Sequence, residues 1–180
     1  KWNKPVQALS GEAVYRFKFE NESLLKLYGA FSYTDFDMVQ EDINYVDGFR
    51  FGLKNRNLYF NTSYKNSFGD GWKVKTGLSF TNDHSDINIL DDKVIDEENS
   101  AHVKVALQKR FSNRFKLNFG GEYFITDFNE DYRGATTGNF KYGFDNNIVA
   151  TYAEADIFFS KKLASKVGVR GEYSELLKDF

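Results

Sequence analysis

The stretch FKLNFGGEY, residues 115–123, indicates the fold class, because apolar and polar residues alternate along most of it. Phe115 and Leu117 share one face of an extended chain, whereas Lys116 and Asn118 share the other. An amphipathic α-helix would instead repeat its apolar residues every three to four positions. The period of two therefore predicts a β-strand with one apolar and one polar face.

The same alternation returns along the rest of the chain and predicts about eight strands. Many of these strands have ~10 residues, which is the length that a tilted strand needs to cross a membrane. Strands of globular proteins are commonly about half as long. The predicted strands are centred on residues 13–19, 25–33, 58–64, 72–80, 103–107, 115–123, 149–159 and 167–173.

The connections between these strands alternate between short and long. The short turns are Glu20–Ser23, Asn66–Gly71, Ser112–Arg114 and Lys161–Ser165. The predicted long loops, which are polar and largely acidic, are Asp35–Gly48, Asn82–Asn99 and Asp127–Asn147. Outer-membrane barrels likewise combine short periplasmic turns with longer extracellular loops. Aromatic residues such as Trp72 and Tyr123 lie at strand ends, where the two aromatic belts of a membrane barrel are expected.

The composition excludes several other classes of protein. The formal net charge of −2 argues against a nucleic-acid-binding protein, which is usually basic. The absence of cysteine excludes disulfides and thiolate metal sites. No apolar stretch approaches the ~20 residues of a membrane helix. The mean hydropathy of −0.56 is that of a soluble protein, but barrel strands dilute their lipid-facing residues with polar ones.

We therefore expect an all-β fold, an antiparallel transmembrane β-barrel in the outer membrane, with residues 1–180 forming a single barrel segment. Alternation alone does not show which face points inward. A soluble eight-stranded barrel of the lipocalin type, which binds a lipid or another ligand, has its apolar face inside instead. Such a protein would stay soluble without detergent.

Several stretches resemble the barrel domain of TonB-dependent outer-membrane receptors of the type abundant in Bacteroidetes. The opening KWNKPVQALSGE, residues 1–12, resembles the first barrel strand after the plug domain of these receptors. NLYFNTSYK at 57–65, followed by FGDGW at 68–72, resembles a recurrent hairpin, and so does TGLSF at 76–80. GEYSELL at 171–177 resembles a strand midway along that barrel. These are patterns of strands and turns, less specific than a catalytic signature.

The resemblance implies that the chain is part of a larger, 22-stranded barrel, whose plug domain is not among residues 1–180. Such receptors import a bulky nutrient, such as a siderophore, a vitamin or a glycan. The implied partners are outer-membrane lipids and lipopolysaccharide, TonB through the plug, a surface lipoprotein and the imported solute. The alternative is a complete eight-stranded outer-membrane barrel with a structural or adhesion role, whose interior is filled by side chains.

Candidate site residues follow from their positions in the predicted long loops. The expected solute-binding residues are Tyr45, Asp131, Tyr132, Phe140 and Tyr142. Carboxylates suit Ca²⁺, so an acidic loop predicts a metal site formed by Asp83, Asp86, Asp91 and Asp92. That loop lacks the spacing Asp-x-Asp-x-Asp-Gly, and a solvated acidic loop is the other interpretation.

No Gly-x-Ser-x-Gly motif or phosphate-binding loop is present, so we expect neither an enzyme nor a cofactor.

Charged residues on the polar faces of the strands are expected to point into the barrel. An Arg or Lys that faces lipid at mid-bilayer costs ~2–4 kcal/mol. The inward charges then form a cross-strand ionic network, or they face a plug or a solute path. The residues concerned are Arg16, Lys18, Lys75, Lys104, Glu122, Glu154, Asp156, Arg170 and Glu172.

Overall fold

A computed structural model describes residues 1–136 and 138–178, which form one antiparallel sheet of eight strands in chain order. The prediction of eight antiparallel strands is confirmed. The strands are β1 (Trp2–Lys18), β2 (Leu24–Asp42), β3 (Tyr45–Phe68), β4 (Trp72–Ile89), β5 (Asp92–Arg110), β6 (Phe115–Gly134), β7 (Gly138–Phe158) and β8 (Ala164–Ser174). The described residues contain no helix that is long and apolar enough to cross a membrane.

The sheet is open. Each strand pairs only with its neighbours in the sequence, and β1 and β8 make no contact with each other in the described part of the chain. One edge of β1 and one edge of β8 therefore present backbone N–H and C=O groups that no other described strand pairs.

The strands are longer than predicted, with 11 to 24 residues each, and the expectation of three long loops is wrong. Most of the residues in those regions extend the ladders. In Asn82–Asn99, only Leu90 and Asp91 lie outside the strands, and Asp83 pairs with Glu98. The apolar–polar alternation disappears in these extensions because both of their faces are polar. Backbone hydrogen bonds between strands form without an apolar face, so the ladders continue. Polar side chains also pair across the strands, as where the Asn82 amide donates to the Asn99 carbonyl oxygen at 2.7 Å. We call the six strand ends around these three connections the hairpin end of the sheet.

The short turns lie at the opposite end, which we call the turn end. The predicted turn at Asn66–Gly71 narrows to residues 69–71, between β3 and β4. Gly71 has a φ of +75°, and its carbonyl oxygen accepts a hydrogen bond from the backbone N–H of Arg110 at 2.9 Å. A Cβ at this position would lie 2.7 Å from the Arg110 carbonyl oxygen, so the turn requires glycine.

The strand ends at the turn end shift steadily along the strand direction from β1 to β8. Following paired residues from strand to strand, Lys18, the last residue of β1, shares a row with Arg170 of β8. Ala164, where β8 begins, lies six positions before Arg170. The turn ends therefore shift by about 20 Å along the strands over a sheet width of about 34 Å. In a barrel whose turns lie at one level, this shift corresponds to a strand tilt of about 30°. This value is close to the tilt of strands in closed barrels.

Candidate functional site

One face of the sheet carries its apolar side chains, and these are exposed. Leu78, Val103, Tyr123 and Val149 form one row across β4 to β7, and each is 38–49% exposed. Among the described residues, Ala150 is the only buried hydrophobic residue. The sheet thus lacks the apolar core of a soluble barrel. An exposed apolar band of this extent fits contact with lipid tails.

The other face is polar and carries most of the cavities. One of them has a volume of about 610 Å³ and lies near the turn end, where Lys65, Lys75 and Tyr152 line it. Because cavities form on the concave side of a curved sheet, we call this the inner face. The residues expected to point inward from the sequence lie on it, among them Lys104 and Glu154.

A charge network crosses β5 to β8 on the inner face. Glu122, whose side chain is 8% exposed, accepts hydrogen bonds from Lys104 and from Arg170, the latter at 3.4 Å. Arg170 also forms an ion pair with Glu172 at 2.8 Å. The expected cross-strand network is present for these four residues, which we call the Glu122 network.

A second ionic cluster lies closer to the turn end. Lys166 of β8 approaches Glu154 at 2.8 Å and Asp156 at 3.7 Å. The Asn118 amide donates to both carboxylates, at 3.4 and 3.3 Å. Together with the Glu122 network, this cluster neutralises much of the charge on the β5–β8 half of the inner face.

The structure brings together three of the five residues expected to contact solute. Tyr132 and Phe140 face each other across β6 and β7 and stack at 4.7 Å, and the ring of Tyr142 follows on the same face of β7. Phe140 and Tyr142 are 53% and 58% exposed. Asp131 lies on the opposite face, where it pairs with Arg133 at 2.8 Å. Tyr45 lies on another hairpin. Contact of these residues with solute stays a prediction.

A contact between two hairpins was not anticipated from the sequence. The Tyr132 hydroxyl donates to Asp92 at 2.6 Å, and the backbone N–H of Ala135 donates to the same carboxylate at 2.8 Å. These two hydrogen bonds hold the pKa of Asp92 below its ordinary value. Residues 40 positions apart carry no periodic signal of such a contact.

The four aspartates of the expected calcium site are not gathered around one point. Asp83 accepts hydrogen bonds from the amides of Asn55 and Asn57, at 3.0 and 2.8 Å. Asp86 lies on the other face and pairs with Lys93 at 2.8 Å. Asp91 lies in the turn, and Asp92 accepts hydrogen bonds from Tyr132 and Ala135. Within residues 1–136 and 138–178, no three acidic or histidine side chains are placed to hold a metal ion. The calcium site stays a prediction without an assembled set of ligands.

Two carboxylates oppose each other on the outer face at the hairpin end. Asp127 of β6 is the direct cross-strand partner of Asp145 of β7. A hydrogen bond between the carboxyl groups and the repulsion between their charges raise the pKa of Asp145 above its ordinary value.

This pair gives a prediction for the pH dependence of stability. A carboxyl whose pKa rises on folding stabilises the fold while it is protonated, and that contribution is lost as the pH rises through the raised pKa. Asp145→Asn should therefore raise the melting temperature at pH 7.5. The gain should vanish below pH 3.8, the ordinary pKa of the group. Asp47→Asn, at an exposed aspartate of β3, is the control and should show no such pH-dependent gain. An equal gain at both pH values would contradict the argument.

The sequence profile of a known family agrees with the fold. The sequence profile described as "Outer membrane protein beta-barrel family" matches residues 49–180. No curated protein matches the chain. Among solved structures, the β-domain of the Bordetella autotransporter BrkA is similar, with 14% sequence identity and a TM-score of 0.45 over 94% of this chain and 72% of that chain.

The profile match covers well over half of the chain, and its family is one of outer-membrane barrels. Neither finding singles out TonB-dependent receptors within that class. The exposed apolar band, the polar inner face and the profile match all agree on the environment of the protein. The chain belongs to the outer membrane protein β-barrel family, and its place is the outer membrane.

Proposed function

We propose that these eight strands form part of the wall of a larger outer-membrane barrel, a TonB-dependent transporter that imports a bulky solute. The observation that carries the proposal is the open sheet. The free edges of β1 and β8 carry backbone groups that find no partner among the described strands. In a bilayer, each unsatisfied group costs several kcal/mol, so the edges require further strands.

A wider barrel would supply these strands, and the inner face would then line a lumen. The turn end would face the periplasm, and the hairpin end would extend outside the cell among lipopolysaccharide. The exposed rings of Phe140 and Tyr142, beside Tyr132, would meet a solute such as a siderophore, a vitamin or a glycan. TonB would act through the plug, and a surface lipoprotein would cover the mouth. The proposal includes no enzymatic activity and no cofactor.

The second candidate is a closed eight-stranded barrel with a structural or adhesion role. The Glu122 network favours it, because ionic side chains of this kind fill the interior of small barrels. The shift of the turn ends across the sheet also permits closure of the barrel. If this shift continues at about one residue per strand, β1 meets β8 with a shear of about eight. Ala8 then lies opposite Glu172, and inner faces stay together.

The intact mass of the native polypeptide from outer membranes tests the first proposal. A mass several-fold above 20.8 kDa is expected, and a mass near 20.8 kDa would overturn it.

A cross-link makes the test sharper, because the chain has no cysteine of its own. Oxidation of Ala8→Cys with Glu172→Cys should give no disulfide in a large barrel and a disulfide in a closed small one. The pair Leu78→Cys and Val103→Cys, which are direct partners, is the positive control.

A further inference from the structure

The β1–β4 half of the inner face places like charges directly opposite each other. Arg16 of β1 is the cross-strand partner of Lys26 in β2. Lys65 of β3 is the partner of Lys75 in β4. Like charges at directly opposed positions destabilise a sheet, because their side chains point the same way about 5 Å apart.

The centre of the β5–β8 half places opposite charges opposite each other, although Arg110 opposes Lys116 at the turn end and Asp96 opposes Glu130 at the hairpin end. Lys104 opposes Glu122, and Asp156 lies between Lys116 on one side and Lys166 on the other. Carboxylates thus neutralise Lys104 and Lys166, whereas the pairs Arg16–Lys26 and Lys65–Lys75 have no carboxylate directly opposite.

Among the described cations of the β1–β4 half of the inner face, only Lys18 forms an ion pair, at 3.7 Å from Glu22. The nearby carboxylate of Glu12 accepts a hydrogen bond from the Tyr28 hydroxyl at 2.8 Å. We call the remaining unpaired cations the basic patch; its members are Arg16, Lys26, Lys65, Lys73 and Lys75.

The basic patch borders the cavity near the turn end of the sheet. Lys65, Lys73 and Lys75 line this space of about 610 Å³, a volume typical of small-molecule sites. Asn66 and Ser67 also line the cavity, and so do Gln108 and Asn118, whose amides already donate to side chains of the protein. Two carboxylates, Glu22 and Glu154, also border it. Each of these already pairs with a lysine outside the patch, so neither cancels the patch's charge.

We propose that the basic patch binds a multivalent anionic solute, one that carries phosphate or carboxylate groups. Lysine ammonium groups bind phosphate as point charges, and the Asn66 amide and the Ser67 hydroxyl beside them are further donors. A bound anion would convert the repulsion across Arg16–Lys26 and Lys65–Lys75 into attraction. The inference rests on the first proposed function, because only an open lumen leaves this face free for a solute. It adds the chemical class of what the lumen accepts.

Calorimetric titration of the full native protein, in detergent, with inorganic tripolyphosphate tests this site. Lys65→Gln with Lys75→Gln should raise the Kd at least tenfold. The matched control, Lys161→Gln with Lys162→Gln, removes the same charge from the turn between β7 and β8 and should keep the Kd within twofold. No binding by the wild type, or equal weakening in both variants, would overturn the proposal.

Thermal unfolding gives a second readout. Without tripolyphosphate, the Lys65/Lys75 variant should melt above the wild type, because the repulsion is gone. Tripolyphosphate should raise the melting temperature of the wild type and not that of the variant. If acidic side chains of the protein's own occupy the patch, the variant melts below the wild type and the solute proposal falls. The cross-link between β1 and β8 reports separately on the barrel itself, so the two failures are distinguishable.

Discussion

Leu78→Arg should lower the free energy of unfolding of the barrel by about 2–4 kcal/mol, whereas Ser79→Arg, one residue along the same strand, should be tolerated. Leu78 lies on the apolar face, in the exposed row that it shares with Val103 and Tyr123. A charge that faces the bilayer midplane costs ~2–4 kcal/mol, a large part of a typical stability of about 5–15 kcal/mol. Ser79 lies on the inner face, beside His102, where water reaches a long side chain.

Urea titration of the protein folded into lipid vesicles would measure both variants. Mobility of unheated samples on detergent gels would report the folded fraction. The loss for Ser79→Arg should stay below about 1 kcal/mol, as expected for a side chain in water. Equal losses at the two positions would mean that the apolar face does not meet lipid, and the assignment of the two faces would fail.

Glu122→Gln should lower the free energy of unfolding by about 2–3 kcal/mol. The substitution keeps the shape of a nearly buried side chain but leaves Lys104 and Arg170 without their shared carboxylate. Breaking a fully buried ion pair costs about 3–5 kcal/mol, and the value here is smaller because both cations are partly exposed. The same titration in vesicles would measure the loss.

A double variant separates the charge effect from lost packing. Adding Lys104→Gln to Glu122→Gln should recover part of the loss, because it removes one of the two stranded cations. Glu172→Gln, whose carboxylate is 48% exposed, should cost less than about 1 kcal/mol. If Glu172→Gln were as damaging as Glu122→Gln, the network would not be centred on Glu122.

The strands and the two faces were predictable because they depend on local alternation. Phe115 and Leu117 indicate a half-apolar strand without knowledge of any partner. The hairpin extensions were not predictable in this way, since Asn82 and Asp83 carry no apolar alternation. Their order comes from backbone pairing with β5, which only the register reveals. The open edges likewise depend on what pairs with β1 and β8, which no local pattern encodes.

The sites depended on register even more. Inward charges such as Lys75 and Glu122 were identifiable because alternate residues of a strand point to the same face. The alternation did not identify the residue that stands opposite each of them. A shift of one residue would change every partner and every face. Only the observed pairing shows that Lys75 meets Lys65 while Glu122 meets Lys104. The contact between Tyr132 and Asp92 joins two hairpins, so no single strand carries a sign of it.

Pairing limited to sequence neighbours has an evolutionary consequence. Every strand contacts only the strand before it and the strand after it, through a short turn or a hairpin connection. A two-strand unit can be duplicated or deleted while the remaining ladders keep their register and their faces. Loss of a single strand would instead move the next connection to the wrong side of the membrane. Genes for sheets of this kind should therefore grow and shrink in steps of two strands.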